Sequence, residues 1–288
     1  MPEDTEYRSV NREAERLVAT IGIPPCPAIV IQIVKEMGRS EPDYGRIADL
    51  ILSDPGLAAA VLKTVNAPFF GLARKASSVH QACVFLGLRN TGLVIANLLL
   101  KRLFPEGDSA ALKAYWCETL KSATTMNALV AEIPGLDRPE VHTFALFRDC
   151  GHAALLLREQ MNGGSRFSNH AGSTESVGAI NILDVDHAWI GSLLAQGWYL
   201  PTAISDAIQQ HHEPQKSMPA TGERPSASAR LVALGMLADH IHALQSNTAR
   251  DPAWESGKAL VEKVFGITES NLPALIASLG HYQERRAA

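Results

Sequence analysis

Apolar residues recur along most of this 288-residue chain with the spacing of helices that bury one face. The first clear stripe runs from Ile29 to Met37, where apolar residues fall at positions i, i+1, i+4, i+5 and i+8 after Pro27. No stretch combines sustained apolar–polar alternation with the β-branched residues typical of a strand. The pattern therefore predicts an all-α fold, a multi-helix bundle of about a dozen helices.

Local signals mark where several of these helices begin and end. Asp54 precedes Pro55, and because a residue before proline avoids the α region, Asp54 is the predicted N-cap of a helix. Ser78 followed by Gln81 matches a capping box, and Gly87 is predicted to end the helix that starts there. Further helices are predicted at about 89–103, 109–132, 138–160, 174–183, 185–199, 201–213, 226–246, 251–264 and 268–284.

Composition and charge exclude several classes of protein. The 26 Lys and Arg against 30 Asp and Glu give a net charge of −4, which excludes a globally basic nucleic-acid binder. The apolar run Leu93–Leu100 is interrupted by Asn97 and is too short to cross a bilayer. The N-terminal sequence is acidic and polar, unlike a secretory signal. We therefore expect a cytoplasmic protein without membrane contact.

The four cysteines form no closely spaced pair. Without a CxxC motif a cysteine-ligated zinc site is not expected, and a chain of this length needs no disulfide to fold. We predict four reduced thiols, most of them buried.

Residues that could carry chemistry are scattered through the middle of the chain, on helices or at their ends. They lie in the segments Trp116-Cys117-Glu118, Phe147-Arg148-Asp149-Cys150-Gly151, Asp186-His187, His211-His212-Glu213-Pro214 and Ala238-Asp239. Converging helices commonly build metal sites from such residues, and a bound cation could activate water for phosphoester hydrolysis. Alternatively, His211 or His212 could act as a general base beside Asp239. The competing interpretation is that the histidine pair caps a helix and that Asp239 is an ordinary surface residue.

Six segments in the right order resemble the HD-related output domain (HDOD) family, a degenerate relative of the HD-type metal phosphohydrolases. The segments are Ile23–Met37, Ile47–Asn66, Ala67-Pro68-Phe69-Phe70-Gly71, Ser78–Asn90, Asp186–Pro201 and Ala207–Pro214. The resemblance covers about residues 20–245. It implies an N-terminal extension (1–19), an HDOD domain (20–213), a loop (214–226) and C-terminal helices (227–288) that pack on the HD-like half. Within the domain, an N-terminal helical half (20–105) precedes that HD-like half (106–213).

The resemblance also implies that two histidines of a catalytic HD site are missing. The early histidine falls at Glu118, and the histidine of the His-Asp pair falls at Arg148. The degenerate pocket would consist of Glu118, Arg148, Asp149, His187, His211, His212 and Asp239. A guanidinium opposes a cation at this position, so no metal and no other cofactor are expected. If a metal does bind, the implied ligands are Asp149, His187, His211 and Asp239.

The two changed positions suggest an ion pair. We predict a salt bridge between Glu118 and Arg148, further satisfied by Asp149 or Asp239, because unpaired buried charges are costly. The alternative is that Arg148 turns out to solvent and leaves a vacated pocket around an adventitious cation.

The resemblance implies a non-catalytic module of bacterial signal transduction that acts through contacts with other proteins. The sequence does not identify these partners, and one possible partner is a second copy of the chain in a homodimer. One alternative is a metal-dependent phosphohydrolase or phosphodiesterase with an altered ligand set. A second is a DNA-binding regulator, which would use the basic residues Arg74, Lys75, Arg89, Lys101 and Arg102. The helix after Pro55 offers mainly Ala, Val and Leu, which favours core packing over base recognition.

Overall fold

Residues 26–70, 74–161, 187–245 and 252–287 are described by the computed structural model of the chain. They form α-helices and two short 3-10 helices, Pro68–Phe70 and Pro214–Ser217, and this described part contains no strand. The all-α prediction is confirmed. The helix predicted at 174–183 lies outside the described residues. The four cysteines are free thiols, as predicted, but only Cys83 and Cys150 are buried, so the expectation that most of them are buried is wrong.

The chain divides into two units. The N-terminal unit extends to Pro105 and includes Leu193–Leu200, and the C-terminal unit comprises Glu106–Ser192 and Pro201–Ala288. The N-terminal unit contains the helices α1 (Ala28–Met37), α2 (Tyr44–Leu52), α3 (Pro55–Val65) and α4 (Val79–Leu103). Helix α4 packs against the other three, so it forms the centre of this unit. The domain boundaries drawn from the resemblance stay a prediction.

The predicted helix starts of the N-terminal unit are present. The side chain of Asp54 accepts a hydrogen bond from the Leu57 amide at 2.9 Å, and Pro55 is the first residue of α3. The Ser78 hydroxyl accepts from the Gln81 amide at 3.2 Å. The Gln81 side chain reaches back one residue further than a capping box requires, because it accepts from the Ser77 amide at 3.0 Å.

Helix α4 bends at Gly87, which has φ 74° and ψ 166°. Among the described residues, this helix alone is long and apolar enough to cross a membrane, which the sequence did not lead us to expect. More than half (56%) of its most apolar stretch is buried inside the protein. The segment after Gly87 is about 24 Å long at 1.5 Å per residue, shorter than the ~30 Å hydrocarbon core of a bilayer. These features are typical of a core helix.

The C-terminal unit contains eight helices in the described residues, of which α8 continues into the N-terminal unit. They are α5 (Ala110–Glu132), α6 (Arg138–Phe147), α7 (Cys150–Met161), α8 (His187–Gly197), α9 (Thr202–Gln210), α10 (Ala227–Gln245), α11 (Pro252–Phe265) and α12 (Leu272–Ala287). Helix α10 packs against α5, α6, α9 and α11 and is buried along most of its length. Trp116, Phe144 and Phe147 are fully buried core residues here. This core fixes the helix ends that carry the candidate site.

The helix predicted over 138–160 is interrupted in the structure. Arg148 and Asp149 form a turn between α6 and α7, and the His152 amide bonds to the Asp149 carbonyl at 2.9 Å, a tighter i to i+3 bond. Arg148 keeps helical angles (φ −48°, ψ −47°), so the apolar spacing continues through the turn. A pattern of apolar residues therefore cannot reveal this interruption.

Candidate functional site

Four elements of the C-terminal unit bring the candidate residues together. Arg148 and Asp149 occupy the turn between α6 and α7, and His187 is the first residue of α8. His211 and His212 follow the last residue of α9. Asp239 lies on α10. Each group is therefore positioned by a helix end or by the central helix α10.

A close approach between α7 and α8 places His187 beside this turn. A Cβ atom at Gly151 would lie 2.0 Å from the carbonyl oxygen of His187 and 3.0 Å from the amide nitrogen of Gly191. Both atoms belong to the backbone and cannot move aside alone. Glycine at position 151 is thus required for the contact that brings His187 to Asp149.

Arg148 lies between two carboxylates. Its Nε donates to Asp149 Oδ2 at 3.0 Å, and its Nη1 donates to Asp239 Oδ2 at 2.9 Å. The arginine side chain is only 11% exposed, whereas Asp149 is 26% and Asp239 47% exposed. Gly235 on α10 leaves room for the guanidinium, since a Cβ there would lie 3.2 Å from Nη1. The arginine therefore supplies a fixed positive charge inside the pocket.

The predicted ion pair between Glu118 and Arg148 is wrong. Glu118 is on an exposed face of α5 and pairs with Lys121 at 2.7 Å, one turn further along the helix. Its side chain is 64% exposed, so water solvates the carboxylate and no buried partner is needed. The other half of that prediction holds, because Asp149 and Asp239 do satisfy the guanidinium. The alternative in which Arg148 turns out to solvent is also wrong.

The second oxygen of Asp149 faces three imidazoles, His187, His211 and His212, which we call the histidine cluster. Asp149 Oδ1 lies 3.3 Å from His211 Nε2 and 3.7 Å from His187 Nε2. The Nε2 atom of His187 lies 3.3 Å from that of His211 and 2.9 Å from that of His212. All four ligand atoms fall within 4.8 Å of one another, a spacing that can hold one metal ion.

The tautomer of His211 follows from its backbone contact. Its Nδ1 lies 2.6 Å from the carbonyl oxygen of Ile208. A carbonyl oxygen can only accept a hydrogen bond, so Nδ1 carries the proton. In the neutral ring the lone pair is then on Nε2, which points at Asp149 and His187. A backbone carbonyl that fixes an imidazole in this way is the usual second partner of a metal-binding histidine.

The surroundings keep Asp149 charged and His187 neutral. Burial by itself would raise the pKa of Asp149, but the guanidinium of Arg148 and the neighbouring imidazoles hold it well below its usual range. Burial, followed by the charges of neighbouring histidines, lowers the pKa of His187 to about 2. The site thus offers a carboxylate and an uncharged imidazole, the protonation states that a metal requires of these ligands.

Sequence reasoning assigned the members of this site incompletely. His212 belongs to the histidine cluster, whereas Asp239, which was implied as a metal ligand, is bonded to Arg148 instead. The ring of His152, one turn after Arg148, stacks on that of His187 with centroids 3.7 Å apart. Asp186 lies outside the described residues. The i+4 spacing from Arg148 already indicates that His152 can reach the pocket.

Other histidines contact residues elsewhere in the unit. His142 Nδ1 lies 2.9 Å from the Asn127 amide, His242 lies 2.6 Å from Thr125, and the His240 ring stacks on Trp254. These contacts involve residues outside the histidine cluster.

Comparison with known proteins identifies the family of this chain. The model of the HDOD domain matches residues 23–214. An uncharacterised protein of Treponema pallidum (strain Nichols) is 25% identical over 220 residues, which is 70% of this chain. The chain spans only 41% of the length of that relative.

Solved structures share the fold. A provisionally named metal-dependent phosphohydrolase from Shewanella amazonensis SB2B has a TM-score of 0.63 at 13% identity, covering 94% of this chain and 99% of its own. An HDOD domain protein of unknown function from Geobacter sulfurreducens has a TM-score of 0.54 at 21% identity, covering 94% and 97%. A provisionally named signal transduction protein from Marinobacter aquaeolei VT8 has a TM-score of 0.51 at 20% identity, covering 96% and 66%. At these identities the likeness concerns the fold.

Proposed function

This chain belongs to the HDOD family, and from that membership we propose that it is a non-catalytic module of bacterial signal transduction that acts through contacts with other proteins. One observation carries the non-catalytic part. Arg148 is bonded to Asp149 and Asp239, at the positions where the resemblance to HD enzymes implies metal ligands. The guanidinium is permanently charged, and a divalent cation between the same two oxygens would be repelled by it.

The signalling part is supported by relatives and by the surface. The Marinobacter protein with the same fold is named for signal transduction. On α4 of this chain, the consecutive side chains Val84 and Phe85 are 49% and 47% exposed. Contiguous exposed apolar surface marks many sites that bind another protein. We propose that these two residues contribute to the partner surface.

A pull-down from the native host tests the protein contact. The tagged full chain is expected to retain a defined protein, and the double substitution Val84→Ser with Phe85→Ser is expected to weaken that retention at least about tenfold, through the loss of apolar contacts. Met218→Ser is the matched control, since Met218 is similarly exposed (41%) in the C-terminal unit. Quantitative mass spectrometry measures the retained protein. Equal retention by all three chains would contradict a partner surface on α4.

The second candidate function is a metal-dependent phosphohydrolase, which the histidine cluster favours because it can bind a cation next to Asp149. We expect no turnover of cyclic dinucleotides, nucleotides or p-nitrophenyl phosphate with Mg²⁺, Mn²⁺, Co²⁺ or Zn²⁺, because Arg148 blocks the position between the carboxylates. Product release followed by chromatography is the measurement. Turnover that Asp149→Ala abolishes and Asp206→Ala leaves unchanged would establish the enzyme instead.

A further inference from the structure

We propose that Asp149 Oδ1 and the Nε2 atoms of His187, His211 and His212 bind a single transition-metal ion of the Zn²⁺ class. This site is separate from the position that Arg148 fills, because the arginine is bonded to the other carboxylate oxygen, Oδ2. The proposal goes beyond the signalling function and does not depend on it.

Four of the six distances between these atoms are close to those around a tetrahedral ion, and the other two are at most 4.8 Å. With metal–ligand bonds of about 2.0 Å, neighbouring ligand atoms in a tetrahedron are separated by about 3.3 Å. Two of the separations here, from His211 Nε2 to Asp149 Oδ1 and to His187 Nε2, are both 3.3 Å. The contacts of His187 Nε2 with His212 Nε2 and Asp149 Oδ1 are 2.9 Å and 3.7 Å, on either side of that value. The observed set thus has the size of a mononuclear site.

Electrostatics also call for a positive ion at this point. The lone pair on His211 Nε2 faces the carboxylate oxygen Asp149 Oδ1 at 3.3 Å, and two acceptors repel at this distance unless a cation or a proton lies between them. His187 Nε2 lies within 3.7 Å of Asp149 Oδ1 and of the Nε2 atoms of His211 and His212, so the three imidazoles and the carboxylate converge on one point. One metal ion satisfies the carboxylate and all three imidazoles at once.

The ligand set defines the class of ion and its role. Three imidazoles and one carboxylate suit Zn²⁺, Co²⁺ or Ni²⁺ better than Mg²⁺ or Ca²⁺, which prefer oxygen. Four protein ligands complete a tetrahedron and leave no position for a reacting water, as in structural zinc sites. The ion would therefore join the α6–α7 turn to the beginning of α8 and the end of α9.

Cobalt binding to the metal-stripped full chain tests the site. We expect one equivalent of Co²⁺ to produce the intense visible bands of tetrahedral coordination. His212→Ala is expected to weaken binding by more than the roughly 10- to 100-fold that loss of an outer-shell partner costs. His212 is exposed, so this substitution leaves the core intact. His80→Ala, which replaces an exposed histidine of α4, is the matched control and is expected to bind Co²⁺ like the unaltered chain.

His212→Cys makes the test specific to direct ligation. A thiolate at this position is expected to add a sulfur-to-cobalt charge-transfer band in the near ultraviolet, which a residue with a merely structural role would not produce. Failure of the unaltered chain to bind Co²⁺ or Zn²⁺, or binding that His212→Ala does not weaken, would overturn the site. Neither result bears on turnover or on partner retention, so the proposed function is tested separately.

Discussion

Gly151→Ala is expected to destabilise the C-terminal unit by about 3 kcal/mol or more, at the upper end of the cost of overpacking a core. The added methyl would lie 2.0 Å from the carbonyl oxygen of His187 and 2.8 Å from its carbonyl carbon. Because both atoms are backbone, relief requires α7 and α8 to separate. That movement would carry His187 away from Asp149 and disperse the histidine cluster. Urea unfolding followed by circular dichroism measures the loss.

Two other glycines provide a graded control. Gly191→Ala would place its Cβ 3.1 Å from Cγ2 of Ile208, a side-chain contact much less severe than the backbone contact at Gly151, so a smaller cost of about 1 kcal/mol is expected. Gly38→Ala meets its nearest atom at 3.5 Å, an ordinary contact, and is expected to change stability by less than about 0.5 kcal/mol. Equal stability of Gly151→Ala and Gly38→Ala would mean that α7 and α8 do not approach as described.

Arg148→Met is expected to cost about 3 kcal/mol, because it removes the cation between Asp149 and Asp239 while keeping the apolar part of the side chain. Asp149 is 26% exposed and would be left charged without its main partner, which is the situation that makes broken buried pairs costly. Asp239 is 47% exposed and is rehydrated more easily, which places the value at the low end of the range for buried pairs. Urea unfolding at pH 7 measures the difference.

A surface ion pair of the same chain is the matched control. Arg102 pairs with Asp54, and both side chains are about 40% exposed (42% and 40%), so Arg102→Met is expected to cost less than about 1 kcal/mol. Adding Asp149→Asn to Arg148→Met is expected to recover part of the loss, because the stranded charge is removed. If Arg148→Met were no more costly than Arg102→Met, the guanidinium would not be holding the pocket together.

Much of the fold follows from local physics that a sequence displays. Asp54 before Pro55 predicts a helix start because both side-chain capping and the proline ring act within one turn, and the structure shows that cap. The positive φ of Gly87 explains why the predicted end of a helix is observed as a bend inside α4. The turn at Arg148 was missed, because its backbone stays helical and the apolar spacing passes through it unchanged.

The site was less predictable because it depends on contacts between distant segments. The resemblance to HD enzymes predicts Glu118 opposite Arg148. The direction of the Glu118 side chain, however, depends on how α5 is rotated about its axis, and in the structure this side chain faces solvent. One carboxylate oxygen of Asp149 contacts Arg148 and the other faces the histidine cluster. The spacing of residues along the chain does not predict this arrangement. The adjacent histidines both enter this cluster because they follow the end of α9, where the chain turns.

The most direct test of the central claim, that Arg148 takes the place of a metal between Asp149 and Asp239, is anomalous diffraction from a crystal of the full chain soaked in Zn²⁺. We expect ordinary electron density for the guanidinium between the two Oδ2 atoms and no anomalous peak there, whether or not zinc occupies the histidine cluster. An anomalous peak bonded to both carboxylates, with Arg148 displaced, would contradict it.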